Sequence, residues 1–129
     1  MFCETVRMEL HVSHVVMDCA DPEGLAAFWS DLVGVKIKTR WRQYVILEPS
    51  RDGAPALAFQ RVGQAKAGKN RAHVDLTVPD LEAATRHALT LGALVIDETT
   101  EDGVTARVMA DPEGNEFCLV QLPPSQGTP

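Results

Sequence analysis

Apolar and polar positions along this chain run through two similar passes. From about residue 10 to 19 they alternate, with Val15, Met17 and Cys19 pointing one way and His14, Val16 and Asp18 the other. That is the period-two pattern of a strand with one buried face. Asp21-Pro22 then predicts a helix start, an N-cap acid followed by proline at the first helical position. Leu25, Phe28, Trp29 and Leu32 recur at helical spacing, and Gly34 predicts the stop. Strands are predicted near 35–40, 43–48 and 55–62, with Pro49 to Gly53 turning between the last two.

After a connector at 63–70 the pattern starts again. A strand near 72–78 sets Val74, Leu76 and Val78 against His73, Asp75 and Thr77. A helix over about 80–91 carries Leu81, Ala84, Ala88 and Leu91 on one stripe and ends at Gly92, with strands near 93–98, 104–110 and 116–121. The passes share landmarks: His14-Val15 and His73-Val74 lie 59 residues apart, as do Asp21 and Asp80, and Ile37 and Ile96. Asp-Pro-Glu-Gly also occurs twice. At Asp21 it predicts a helix cap, and at Asp111 a hairpin turn before Asn115.

Each pass therefore reads βαβββ, and the predicted class is α+β. Modules 10–62 and 71–122 form one domain over 1–125, with a disordered tail at 123–129. If each apolar strand face packs on its helix, a pseudo-twofold pair of modules curves eight strands into a cup. The helices lie on its outer face and the polar residues gather inside.

Composition narrows the partners. A net charge of -6 argues against nucleic acid, whose phosphates need a basic face. Lys66, Lys69 and Arg71 read as a solvated connector. No apolar stretch approaches the roughly 20 residues of a membrane span. Cys3, Cys19 and Cys118 are an odd number at no disulfide or zinc-finger spacing, and the first residues lack a signal peptide's basic region. The cytoplasm is the expected compartment.

The segments His14-Val-Val-Met-Asp-Cys-Ala-Asp21, Phe28-Trp-Ser-Asp-Leu-Val-Gly34, His73-Val-Asp-Leu-Thr-Val-Pro-Asp80, Leu91-Gly-Ala and Asp111-Pro-Glu-Gly-Asn-Glu-Phe-Cys-Leu-Val120 carry a resemblance in their order and spacing. The chain resembles the glyoxalase/bleomycin-resistance/extradiol-dioxygenase (vicinal oxygen chelate) superfamily over about residues 10–122. It is most similar to the small bacterial glyoxalase-like domain group. The resemblance implies a concave small-molecule site, a homodimer, and metal ligands on the first and last strands of each module. Carried onto this chain, the ligand positions are His14, Gln60, His73 and Cys118, with Phe59 in place of Gln60 if the strand is shifted by one residue.

Two readings of that set stand. The first is one divalent metal (Zn, Ni, Fe or Mn) in a lyase or isomerase; a thiolate at Cys118 favours zinc. The second is a metal-free drug- or metabolite-binding protein, in which Cys118 is a small buried residue. Cys118 stands where the family usually has glutamate. Glyoxalase I-like isomerisation and extradiol ring cleavage both look as though they need that carboxylate, so both are disfavoured. Asp75 shares a face with His73 and could supply the missing carboxylate, but it reads better as an acid that orients His73 or as a polar residue of the cavity wall. Asp18, Trp41 and Tyr44 are further candidates for the cavity wall. His11 falls on the opposite strand face from His14, and His87 reads as a half-buried helix residue.

Overall fold

In the computed structural model, the described residues are 9–64 and 66–123. Cys3 and the tail expected beyond Pro123 lie outside them. The chain runs β1 (His14–Cys19), α1 (Pro22–Val33), β2 (Ile37–Trp41), β3 (Tyr44–Leu47), β4 (Ala56–Arg61), then β5 (Val74–Thr77), α2 (Leu81–Thr90), β6 (Leu94–Glu101), β7 (Val104–Ala110), β8 (Glu116–Gln121). This is βαβββ twice, as the periodicity predicts. β1 begins four residues later than the alternation suggests.

The cap chemistry acts as read. Asp21 Oδ1 accepts from the Gly24 N–H at 3.1 Å, and Pro22 opens α1. A side chain at residue 24 would press on this cap, because a Cβ there would lie 2.5 Å from Asp21 Oδ2. Gly34 ends α1 in the left-handed region at φ 74°, donating to the Ser30 carbonyl at 2.9 Å. Asp80 caps α2 through the Ala83 N–H at 3.2 Å.

The eight strands form two four-stranded sheets with the same topology, β1-β4-β3-β2 and β5-β8-β7-β6. In each, the strands before and after the helix form the two opposite edges, and the first strand pairs in parallel with the last. One core serves both modules. Leu25, Phe28, Trp29, Val45, Leu47 and Phe59 of the first join Leu81, Met109, Phe117 and Leu119 of the second. The polar faces are left outside: His14, Asp18, His73, Asp75 and Thr77 are all exposed.

Helix α1 is the joint between modules. Trp29 is fully buried and meets Phe117 edge-on at 4.9 Å between ring centroids, with Phe28 beside both. The Trp29 indole Nε1 donates to Asp111 Oδ2 at 3.0 Å. Asp111, only 3% exposed, also accepts from the Glu113 and Asn115 backbone N–H groups at 2.9 Å and from the Asn115 side chain. Its turn forms as expected, closed by the Gly114 N–H on the Asp111 carbonyl at 2.8 Å. Glu113 then clasps the first module, accepting from the Ala20 and Asp21 N–H groups at 2.7 and 2.8 Å. His87 departs from expectation: it is exposed, and its Nε2 lies 3.1 Å from the Asp31 carbonyl oxygen on α1. No helix among the described residues is long and apolar enough to cross a membrane.

Removing the Asp111 carboxylate strands several buried donors at once. Asp111→Ala should lower unfolding stability by about 3 kcal/mol or more, read from urea denaturation followed by tryptophan fluorescence. A loss under about 1 kcal/mol would show that water replaces the carboxylate and that the joint lies elsewhere.

Candidate metal and ligand site

The site is set by the parallel ladder between β5 and β8. Its register places Asp75 directly beside Cys118, and Val74 beside Phe117. The alternation that buries Phe117 turns Asp75 and Cys118 to the opposite, polar face. His73 precedes β5 on that same face, and its Nε2 lies 3.0 Å from Asp75 Oδ1. The ligand atoms of His73, Asp75 and Cys118 all lie within 4.8 Å of one another. His73 and Asp75 are each more than half exposed, and Cys118 is half-buried.

The thiol is held protonated. Burial pushes the Cys118 pKa above the ordinary thiol value, and the Asp75 carboxylate adds to this by its charge and by accepting the thiol proton. Glu116, two residues earlier on β8, is engaged separately: Lys69 Nζ binds it at 2.7 Å and holds its carboxyl below the usual range.

The other residues singled out from the sequence scatter. His14 is exposed, with Nδ1 3.0 Å from Ser13 Oγ, and does not belong to the three-donor cluster. Gln60 does not either. Its neighbours across the sheet are Asp18 and Tyr44, so it sits level with a point four residues, or about 13 Å, beyond His14 on β1. In the second module the histidine strand's Asp75 faces Cys118; in the first, the equivalent Val16 faces Ala58. The first-module counterpart of Cys118 is thus Ala58, which has no donor. Phe59, the other reading of that position, is fully buried in the core on the opposite face.

Two cavities flank the cluster. The larger, about 430 Å³, is lined by the β1 stretch Val15–Ala20 with Asp18, by Lys66, Lys69 and Arg71 of the connector, and by His73 and Glu116. The smaller, about 270 Å³, is mostly apolar and includes Asp75, Leu57 and Leu76. Trp41 and Tyr44 line neither. They stack on one another at 5.8 Å, with the Arg42 guanidinium over Trp41 at 4.8 Å. Sequence reasoning took the basic connector for a solvated loop. The signal it passed over is that a segment joining two modules must cross the gap between them.

Paired βαβββ modules around one core, with ligating groups on a polar strand face, are the architecture of the glyoxalase/bleomycin-resistance/dioxygenase class. The chain matches the glyoxalase-like domain family over residues 14–120, and it belongs to that family. Its fold is similar to that of a glyoxalase/bleomycin resistance protein/dioxygenase family enzyme from Burkholderia phytofirmans PsJN (19% identity, TM-score 0.72, covering 85% of this chain and 97% of that one). A glyoxalase/bleomycin resistance protein/dioxygenase from Nocardioides is also similar (11%, TM-score 0.72, 96% and 91%). So is one from Alicyclobacillus acidocaldarius (15%, TM-score 0.64, 87% and 91%). At these identities the likeness shows the fold alone. No curated relative matches the sequence.

The charge of Asp75 is testable through the thiol. In a chelator-treated sample, Asp75→Asn should speed iodoacetamide labelling of Cys118 at pH 8 by about threefold or more, because a lower thiol pKa leaves more thiolate. Cys19, pushed up to about 11 chiefly by burial, is the internal control and should stay slow in both proteins. Peptide-level mass spectrometry separates the two sites. An unchanged Cys118 rate would remove Asp75 from the thiol's surroundings.

Proposed function

We propose that this protein binds one divalent metal, zinc in preference, through His73, Asp75 and Cys118, and acts as a lyase or isomerase on a small organic molecule in the adjoining cavity. The observation that carries the reading is the convergence of an imidazole, a carboxylate and a thiol within 4.8 Å. These donors suit zinc, which accepts nitrogen, sulfur and oxygen ligands and keeps an open position when a protein supplies three. When bound, such an ion acts as a Lewis acid, polarising an oxygen of the ligand.

The chain's own groups support that role. Asp75 stands beside Cys118 and supplies the carboxylate that Cys118 replaces, so the donor set regains an acid one strand away. His73 borders both the cluster and the larger cavity, which gives a cavity-bound molecule direct access to the ligating group. The cavity wall combines the connector's basic side chains, Lys69 among them paired with Glu116, with apolar Val15, Val16 and Met17, a setting for a small molecule with oxygen functions. The free thiols fit a reducing compartment such as the cytoplasm.

A second reading rests on a specific observation. The Cys118 proton already has an acceptor in Asp75, and His14 stands apart from the cluster, so the cup can serve as a metal-free binding protein.

Metal content separates the two. Purified, untagged protein equilibrated with zinc should retain about one ion per chain by plasma mass spectrometry. His73→Ala and Cys118→Ala should each weaken retention by at least about tenfold with the circular dichroism spectrum unchanged. His14→Ala should leave retention as it was. Failure of the parent protein to hold zinc after reloading would overturn the metal reading in favour of the binding protein.

A further inference from the structure

The two cavities beside the cluster share part of their walls. Val15 of β1 and Val74 of β5, both half-buried, line each of them. His73 borders the larger and Asp75 the smaller, so the cluster stands where the two adjoin. Their chemistry differs. The smaller is walled chiefly by Val33, Val35, Leu47, Leu57 and Leu76. Its volume of about 270 Å³ has room for a ring or a short chain, since benzene fits a cavity of about 150 Å³. The larger adds charge of both signs, with Asp18 on β1 and Lys66, Lys69 and Arg71 on the connector.

Part of that charge is met within the chain. Lys69 pairs with Glu116 at 2.7 Å, and Lys66 bonds the Gly68 carbonyl. Both oxygens of Glu113, another lining residue, accept from the Ala20 and Asp21 N–H groups. Asp18 and Arg71 differ. Among the described residues neither enters an ion pair, and both are exposed. An acid and a base thus line one cavity with their charged atoms more than 4.0 Å apart.

Opposite charges that share a cavity without meeting leave a gap for a ligand to bridge. A simple acid would be drawn to Arg71 and opposed by Asp18; a simple amine would be drawn to Asp18 and opposed by Arg71. A molecule that carries both groups is opposed by neither. We propose that the ligand is a zwitterionic amino acid with an apolar side chain. Its carboxylate meets Arg71, its ammonium meets Asp18, and its side chain passes Val15 and Val74 into the smaller cavity. A guanidinium takes a carboxylate through two parallel N–H bonds, which orients the head group as well as binding it. The inference rests on the proposed use of the larger cavity as the substrate site, and it names the class of molecule taken there.

Isothermal titration calorimetry on the chelator-treated full chain tests it with probes that share one ring. They are L-phenylalanine, 3-phenylpropionate, which lacks the amine, and 2-phenylethylamine, which lacks the carboxylate. L-Phenylalanine should bind at least about tenfold more tightly than either. Glycine, the head group without the ring, should also bind at least about tenfold more weakly. Asp18→Asn should erase the advantage over 3-phenylpropionate, and Arg71→Gln the advantage over 2-phenylethylamine, with circular dichroism unchanged. A probe lacking one charge or the ring that binds as tightly as L-phenylalanine would overturn the proposal. So would an advantage that survives both variants, or no binding of any probe. The same preparation is then equilibrated with zinc and its metal content measured. The expected binding pattern without retained zinc would sink the metal reading alone, and about one zinc per chain without a preference for L-phenylalanine would sink this one alone.

Discussion

The structure depends on one buried carboxylate. Asp111 sits at the start of the turn into β8 and gathers donors from both halves of the chain: the Trp29 indole from α1, and the backbone and side chain of its own turn. Burying an acid this deeply is costly unless its oxygens are supplied with donors, and here both are. The turn it shapes delivers Glu113 to the N–H groups ahead of α1, which ties the second module to the first at a second point. It also fixes where β8 begins, and with it the register that sets Cys118 beside Asp75. The site's geometry is therefore a consequence of a core interaction on the other face of the sheet.

The two modules share a plan but differ in how each helix is tied to its sheet. Glu23 and Glu82 occupy the same place in the first turn of their helices, where a negative charge is favoured. Each reaches an arginine, but Glu23 finds Arg40 on the outer strand β2, whereas Glu82 finds Arg107 on β7. Arg107 is the better buried of the two, bonded also to Thr85 and to Glu98 on β6. Moving the arginine one strand inward leaves the outer strand to supply an acid, Glu98. Exposed pairs of this kind add little stability; what differs is the strand to which each helix is fastened.

Most of the fold was legible in the residues themselves. Alternation placed every strand to within a few residues, and the caps at Asp21, Gly34 and Asp80 fell as read, because each signal is local and has its own mechanism; α2 is C-capped by Leu91, one residue before the expected Gly92. Of the candidate cluster, only the second-module residues were legible. His73 and Cys118 were singled out and do come together, and Asp75, weighed as a carboxylate source but read rather as an orienting or cavity-wall acid, lies in the same cluster. The first-module set failed on register. Alternation says which face Gln60 points to, and it says so correctly, but a shift of two residues keeps the face and changes the neighbour. Only the β1–β4 ladder shows that Ala58 holds the position and that Gln60 lies further along. Trp41 and Tyr44 were likewise placed on the right strands, where they stack with each other and Arg42, away from either cavity.

A symmetric fold thus carries an asymmetric site. The positions that hold imidazole, carboxylate and thiol in the second module hold His14, Val16 and Ala58 in the first. Two of those three first-module side chains have no ligating atom, so donor capacity gathers on one sheet. What the first module supplies is the wall: the β1 stretch with Asp18, opposite the connector's Lys66, Lys69 and Arg71. A single parallel ladder holds Asp75 and Cys118 at fixed spacing about 4.8 Å apart, whatever the two modules do relative to one another. Donors drawn from two modules would move apart with every change at their junction. Donors from neighbouring strands of one sheet do not, and the division leaves the first module free to shape the cavity without disturbing the cluster.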